Sequence, residues 1–534
     1  MHEQLPHEPD RPAWAAAADL IQWTTRPDSL WEPGDRFGSW FPGGRLNASV
    51  ACVDRHAERS PDTIAFHWEG EPRDRRSVTY AALLGEVRAL TRGLRGLGVG
   101  PGDVVALHLG WLPETVVAMF ACARIGAAYA VVPQPLPAEA LADRLQALAP
   151  KVLFTQDGAW RRGTVLPLKA RADEALTALD RIEHTVVVRR TGIDVAWFEG
   201  DRWYHDLVAG TRPGQGHGDD VPTDVPSCHP LLLVSLANHR GRPVTVTVGT
   251  AAMLVQAAAL HRWGLAAGRV LWCAGDVSWL GTQVHGIVGP LALGETSVMY
   301  EGTLDVPTHA RAWKVMRRYD VTTLITTPSV LRTMRSWSFE LDRTADAGAL
   351  RRVVTFGEPG EPALRRWAAE GIGGPRISVA DGWGQVELGG IVTVDAPVDP
   401  GRMPDAGAKI VDRTGAPVAR GQEGELVLTR AWAGAMVGAS GAVESIDDVH
   451  WRRFPGVYAT GDRVRRHKDG RVAFLGRTDQ VVSVSGQLVS LREVAEVLLD
   501  HPFVQAADVV ERREPSGGRF LLAAVVLSPD RSGE

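Results

Sequence analysis

The sequence predicts an α/β fold in two or three lobes, and three observations carry that expectation. A chain of 534 residues exceeds what one hydrophobic core fills. From about Val104 to Val354, apolar strand-like runs alternate with helical periods, the rhythm of sheets joined by crossover helices. After about Pro397 the pattern changes to short strands and turns, which suits a smaller β-rich lobe.

The elements follow in order. The first segment, to about Pro61, is rich in Trp, Pro and Asp and is expected to wrap on the surface as an extension. From Ser77 a helical stretch leads through Gly100-Pro101-Gly102-Asp103 into a strand from Val104 to Leu109. A helix from Leu112 to Ile125 and a strand from Ala128 to Val132 come next. Further strands are expected at Val152-Leu153-Phe154, Val186-Val187-Val188, Val270-Leu271-Trp272, Leu324-Ile325 and Val353-Val354. The β-rich lobe takes Ala408 to Val411, Gly424 to Leu428 and Val472 to Leu475. Past Arg477 the pattern gives a strand (Val481 to Val484), a helix (Leu491 to Leu499) and two strands (Ala506 to Val510, Leu521 to Leu527). The glycine-dense run Gly93 to Gly102 precedes a strand, whereas a dinucleotide fingerprint follows one, so it reads as a turn.

Composition narrows the function classes. Hydrophobic content of 45% and charged content of 23% are those of a soluble globular protein. A net charge of −5 gives no general attraction for nucleic acid or anionic lipid. Cys52, Cys122 and Cys273 sit in apolar surroundings, Cys228 stands apart, and no C-x-x-C spacing suggests a metal site. The polar N-terminus is no signal peptide, and the longest apolar runs fall short of a membrane span, so a cytoplasmic protein is expected. Lysine is scarce: Lys151, Lys169, Lys314, Lys409 and Lys468 are all there are.

Four segments then carry chemistry in a fixed order: Gly357-Glu358-Pro359, Asp381-Gly382-Trp383-Gly384-Gln385-Val386-Glu387, Thr460-Gly461-Asp462 and Gly476-Arg477-Thr478-Asp479. With Trp40-Phe41-Pro42-Gly43-Gly44-Arg45-Leu46-Asn47, Cys52-Val53-Asp54-Arg55-His56 and Ala274-Gly275-Asp276-Val277-Ser278-Trp279, the chain resembles the acetyl- and propionyl-CoA synthetase branch of the AMP-forming acyl-CoA synthetases. The resemblance covers nearly the whole chain. It implies the adenylate-forming-ligase fold: an extension over residues 1–60, an AMP-binding domain of two α/β subdomains and a β-rich lobe over 61–477, and a lid domain over 478–534, expected to be truncated. Such enzymes join a carboxylate to AMP using ATP and Mg2+, then pass the acyl group to CoA.

The resemblance also assigns roles. Asp462 matches the carboxylate that holds the ribose hydroxyls, a task suited to two adjacent acceptors. Gly357, Glu358 and Pro359, and Asp381, Gly382, Trp383 and Gln385, match the segments flanking adenine. Arg477 matches a nucleotide-contacting arginine, Asp479 the hinge and Glu387 the magnesium-associated carboxylate. Arg161 and Ser485 match CoA contacts, and His501 a metal-binding position, although His501-Pro502 by itself reads as a helix stop. The acyl-pocket positions are Trp279, Leu280, Gly281, Phe356 and Gly384.

Departures cluster where phosphate chemistry takes place. Family members grip the β- and γ-phosphates with a loop of small residues and hydroxyls ending in lysine. Here the segment reads Leu236-Ala237-Asn238-His239-Arg240-Gly241-Arg242-Pro243-Val244, with Arg242 at the first lysine position and Val244 at the second. Val386 replaces a threonine, Leu488 an arginine and Thr164 a CoA-contacting arginine, while Asp305 adds negative charge on the CoA side. The lid lysine is expected beyond Glu534, and losing such a donor costs about two to three orders of magnitude in adenylation. Acetate-specific members close the acyl pocket with tryptophan where Gly384 stands. An acid larger than acetate is therefore expected, and Gly384→Trp is expected to narrow the size preference. Three readings stay open. One is a ligase with altered chemistry, using a partner protein's lid or catalysing only a partial reaction; another is a pseudoenzyme that binds a ligand or a protein partner. The third, an adenylation partner feeding a carrier protein, fits the missing CoA arginines but not the missing lysine.

Overall fold

β-Branched and apolar runs form the strands, and fully apolar helices can pack only between layers. The computed structural model describes residues 8–179, 182–210, 220–236, 244–338, 347–358, 360–372, 377–441, 443–466, 472–478, 481–484, 487–499, 501, 503–513 and 518–527. Among these, the chain builds two mixed eight-stranded sheets and a four-stranded antiparallel sheet. In the first, the strands Asp201–Trp203, His184–Val188, Val152–Gln156, Val104–Leu107, Ala128–Val131 and Pro230–Leu236 lie side by side in parallel. Val244–Gly249 and Gly438–Gly441 extend that sheet antiparallel. In the second, six parallel strands run from Ser378–Gln385 to Ile64–Glu69, and an antiparallel hairpin partner closes each edge.

The helices Pro113–Ile125 and Thr250–Ala259 are buried along their whole length. The first has Pro at its N-terminal turn and ends on Gly126 at φ +84, a left-handed cap that glycine adopts without strain. Side chains of both sheets and of these helices form one core. The antiparallel sheet of Ala408–Val411, Glu423–Leu428, Tyr458–Arg466 and Val472–Arg477 carries its own small apolar clusters. Beyond it come two antiparallel ladders and the helix Leu491–Leu499.

Two expectations need correction. The segment from Ser77 begins as the strand Arg75–Thr79, and the helix starts only at Tyr80, where the extended Thr79 caps it by accepting from Ala82 N–H. The N-terminal segment does not merely wrap the surface. Trp14 and Phe41 are fully buried, and Trp14 packs edge-on against Trp40 and Trp432 at 5.4 and 4.8 Å. Asn47 donates to the carbonyls of Ala123 and Thr223. Asp54 pairs with the buried Arg124 at 2.7 Å. Cys52, Cys122 and Cys273 are buried, and burial pushes each thiol up to about 12; Cys228 is exposed. No helix among the described residues is long and apolar enough to cross a membrane.

Buried histidines tie stability to pH. Burial holds His108 down to about 4 and His285 to about 3. Both values lie below the roughly 6.5 of an unfolded chain. Between these values the unfolded state binds more protons, so stability is present above about pH 6.5 and is lost on acidification. Urea midpoints should therefore fall as pH drops from about 6.5 to 4, and His108→Gln should reduce the slope by up to about 1.4 kcal/mol per pH unit.

Candidate functional site

The site is assembled on one strand that changes partners. Ser378–Gln385 first pairs in parallel with Arg352–Thr355, setting Asp381 opposite Thr355. It then pairs antiparallel with Gly390–Val394, with a register shift between Trp383 and Gly384. The shift frees the following side chains to point toward the β-rich lobe. Asp381 accepts from the Thr355 hydroxyl and from Arg365 at 3.1 Å, while its N–H donates to Asp395 at 2.8 Å. Gln385 donates to Thr460 O and accepts from the Tyr458 hydroxyl, both at 2.8 Å.

Asp462 lies at the meeting point of sheet and lobe. It is 3% exposed. The indole N–H of Trp383 donates to Oδ2 at 2.7 Å, and Arg477 donates to Oδ1 at 3.1 Å. Glu358 accepts from Ser329 at 2.7 Å and from Arg332 at 3.1 Å through Oε2; its Oε1 is buried with no partner among the described residues.

Glu387 follows in the turn Val386–Leu388. Burial alone would raise its pKa, but the adjacent His450 outweighs that and holds the carboxyl below the usual range. His450 Nε2 is 3.8 Å from Glu387 Oε1, while Nδ1–H donates to Ala459 O at 2.6 Å. The imidazole stacks flat on Tyr458 at 4.7 Å. Sequence reasoning missed His450, Tyr458, Arg365 and Asp395, because each reaches the motif from a distant segment.

A cavity of about 1300 Å3 joins these groups to the acyl-side residues Trp279, Leu280, Gly281, Phe356 and Gly384. Two of those walls differ from expectation. The Phe356 ring lies on Gly281, where a Cβ would come within 2.4 Å of it, so Phe356 fills the place beside that glycine. At Gly384 a Cβ would point into the paired strand, 1.9 Å from Gly390 O, rather than into the cavity. Glycine there is a requirement of the strand pairing, and tryptophan cannot replace it as a pocket wall on this backbone.

A model of the AMP-binding enzyme family matches residues 53–230 and 240–436, and one of the acetyl-coenzyme A synthetase N-terminus matches 11–52. The chain belongs to the AMP-binding enzymes. It is 37% identical over 535 residues to an acetyl-coenzyme A synthetase of Streptomyces avermitilis, covering 98% of this chain and 81% of that protein. It is 38% identical over 546 residues to the acetyl-coenzyme A synthetase of Mycobacterium tuberculosis, covering 97% and 83%. Among solved structures, the acetoacetyl-CoA synthetase of Streptomyces lividans superimposes with a TM-score of 0.74 at 22% identity, covering 98% and 80%, a likeness of fold. These matches establish an acyl-CoA-synthetase-like, AMP-binding ligase with the adenylate-forming fold.

Within this AMP-binding enzyme the remaining expected residues scatter. Arg161 is exposed on the strand Ala159–Arg161, which pairs with Thr164–Leu166 in a hairpin. Asp305 pairs with Arg162 at 3.2 Å, which offsets the negative charge expected there. His501 is exposed, and its Nδ1 accepts from Phe503 N–H at 3.3 Å, as in a helix stop. Among the described residues no group of three His, Cys, Asp or Glu is placed to hold a metal, at His501 or elsewhere. Glu387 is compatible with a magnesium ion held mainly by substrate phosphates. Arg242, Pro359, Asp479 and Ser485 lie outside the described residues.

Two outcomes follow. Gly384→Trp should lower the unfolding free energy by about 2 kcal/mol or more, without a graded narrowing of ligand size, in thermal melts and acid-binding titrations. Trp383→Phe keeps an aromatic ring but removes the donor to Asp462, so AMP affinity should fall about tenfold by calorimetry.

Proposed function

We propose that the chain binds an adenylate and a carboxylic acid larger than acetate, and that acting alone it forms acyl-CoA slowly. The observation that carries this reading is the continuity of one cavity. Asp462, Glu358 and Asp381 line it together with Trp279, Leu280 and Phe356. Its volume of about 1300 Å3 has room for a nucleotide and an acid together.

The residues present suit the two ligands differently. Asp462 is oriented by Trp383 and Arg477, and its two adjacent acceptor oxygens are the chemistry that a ribose diol calls for. The buried, unpartnered Glu358 Oε1 lines the same cavity and suits an N–H donor on a purine. When bound, ATP supplies the phosphoanhydride that activates a carboxylate. At two positions where the family has polar groups the chain is apolar. Val386 faces the cavity, and Val244 is fully buried in the first sheet. Weak triphosphate positioning would slow adenylation more than it weakens AMP binding. The same two valines favour the second reading, a ligand-binding protein without turnover.

Thermal unfolding and pyrophosphate exchange separate the readings. AMP at about 100 times its Kd should stabilise the fold by about 2.7 kcal/mol, and Asp462→Ala should abolish that shift. Butyrate or benzoate should add a larger shift than acetate. Exchange at about 1 s⁻¹ or faster would overturn the slow-ligase reading. Undetectable exchange with a retained AMP shift would favour the binding protein.

A further inference from the structure

Arginine stays charged and offers five donors, so a guanidinium nitrogen buried without a partner is costly unless a ligand completes it. Arg144 is on the helix Ala138–Leu148, whose Leu141, Leu145 and Leu148 pack into an apolar cluster against the first sheet. Arg144 itself is partly exposed and lines the main cavity. Its Nη1 is buried with no hydrogen-bond partner among the described residues. The same cavity is lined by Ser235, on the strand Pro230–Leu236, whose Oγ is also buried and unpartnered, and by Trp279, whose indole N–H is too. A guanidinium, a hydroxyl and an indole are therefore left as donors, and the walls near Arg144 and Ser235 are apolar: Val131, Leu136, Leu148 and Leu233.

Donors with no acceptor among the described residues, in a cavity that also has apolar walls, suit a ligand with an apolar middle and an anionic end. Guanidinium recognises carboxylate with two parallel hydrogen bonds. We infer that Arg144, assisted by Ser235, receives a second carboxylate on the acid, making the substrate class dicarboxylic rather than monocarboxylic. This rests on reading the cavity as acid-binding and does not depend on turnover.

Calorimetry on the full chain, with and without AMP, tests it using glutarate against valerate and adipate against hexanoate. Wild type should bind each diacid at least tenfold more tightly than the monoacid of equal length. Arg144→Met should remove the preference and leave the AMP shift intact, with Ser235→Ala reducing it partially. Equal affinity for diacid and monoacid in wild type, or a preference that survives Arg144→Met, would overturn the inference. Inorganic phosphate forms a further arm. If it stabilises wild type but not Arg144→Met, and no diacid preference exists, Arg144 serves a free anion and the inference fails. A diacid preference without any AMP shift would sink the adenylate reading and leave this one standing.

Discussion

A carboxylate is kept out of water only where donors surround it, and Asp462 meets that condition by joining two lobes. Trp383 reaches it from the second sheet, and Arg477 reaches it from the neighbouring strand of the β-rich lobe, where the ladder sets the two residues opposite each other. Gln385 adds a parallel stitch through Thr460 and Tyr458. The orientation of the lobe against the sheet therefore depends on the same atoms that face the cavity. The geometry that positions the carboxylate also satisfies its charge.

The N-terminal segment extends this dependence. Arg36 makes a two-pronged ion pair with Asp447 at 3.0 and 3.2 Å, and Phe37 packs on Trp451 and Tyr458 at 5.7 and 5.4 Å. Tyr458 in turn supports the His450 ring and bonds Gln385. A segment distant in sequence thus buttresses the two side chains that hold Glu387 and Gln385 in place. Aromatic contacts of this kind bury large areas at low entropic cost, which suits a scaffold that must fix side chains rather than follow them.

Much of this was legible in the sequence, and the failures have a common cause. The alternation of apolar runs located the strands because side-chain period is a local property. The ordered motifs located Asp462, Trp383, Gln385 and Glu387 because each segment carries its own chemistry. What stayed hidden was long-range. A Trp- and Pro-rich composition describes a segment but not its partners, so the burial of Trp14 and Phe41 was missed. His450 and Arg365 act on residues far away in the chain, with no local signature. Gly384 was read as an absent wall, since nothing in the sequence reveals that its strand neighbour's carbonyl occupies the place of a Cβ.

The acyl wall shows how such a constraint propagates. Gly390 has φ +110, and a Cβ on it would fall 2.9 Å from His285 Nε2, so the strand can approach that ring only as glycine. The next residue, Ile391, donates its N–H to the same nitrogen at 3.0 Å and fixes the ring. Phe356 meets His285 edge-on at 6.4 Å and covers Gly281 on its other side. Ring, glycine and strand are therefore complementary shapes, as in any well-packed interior. The depth of the cavity at this wall is set by Phe356, whose place is determined from behind by the hairpin that also carries Gly384. Cavity depth and strand pairing are in this way parts of one arrangement, so a side chain added at Gly384 acts on the fold before it can act on the cavity.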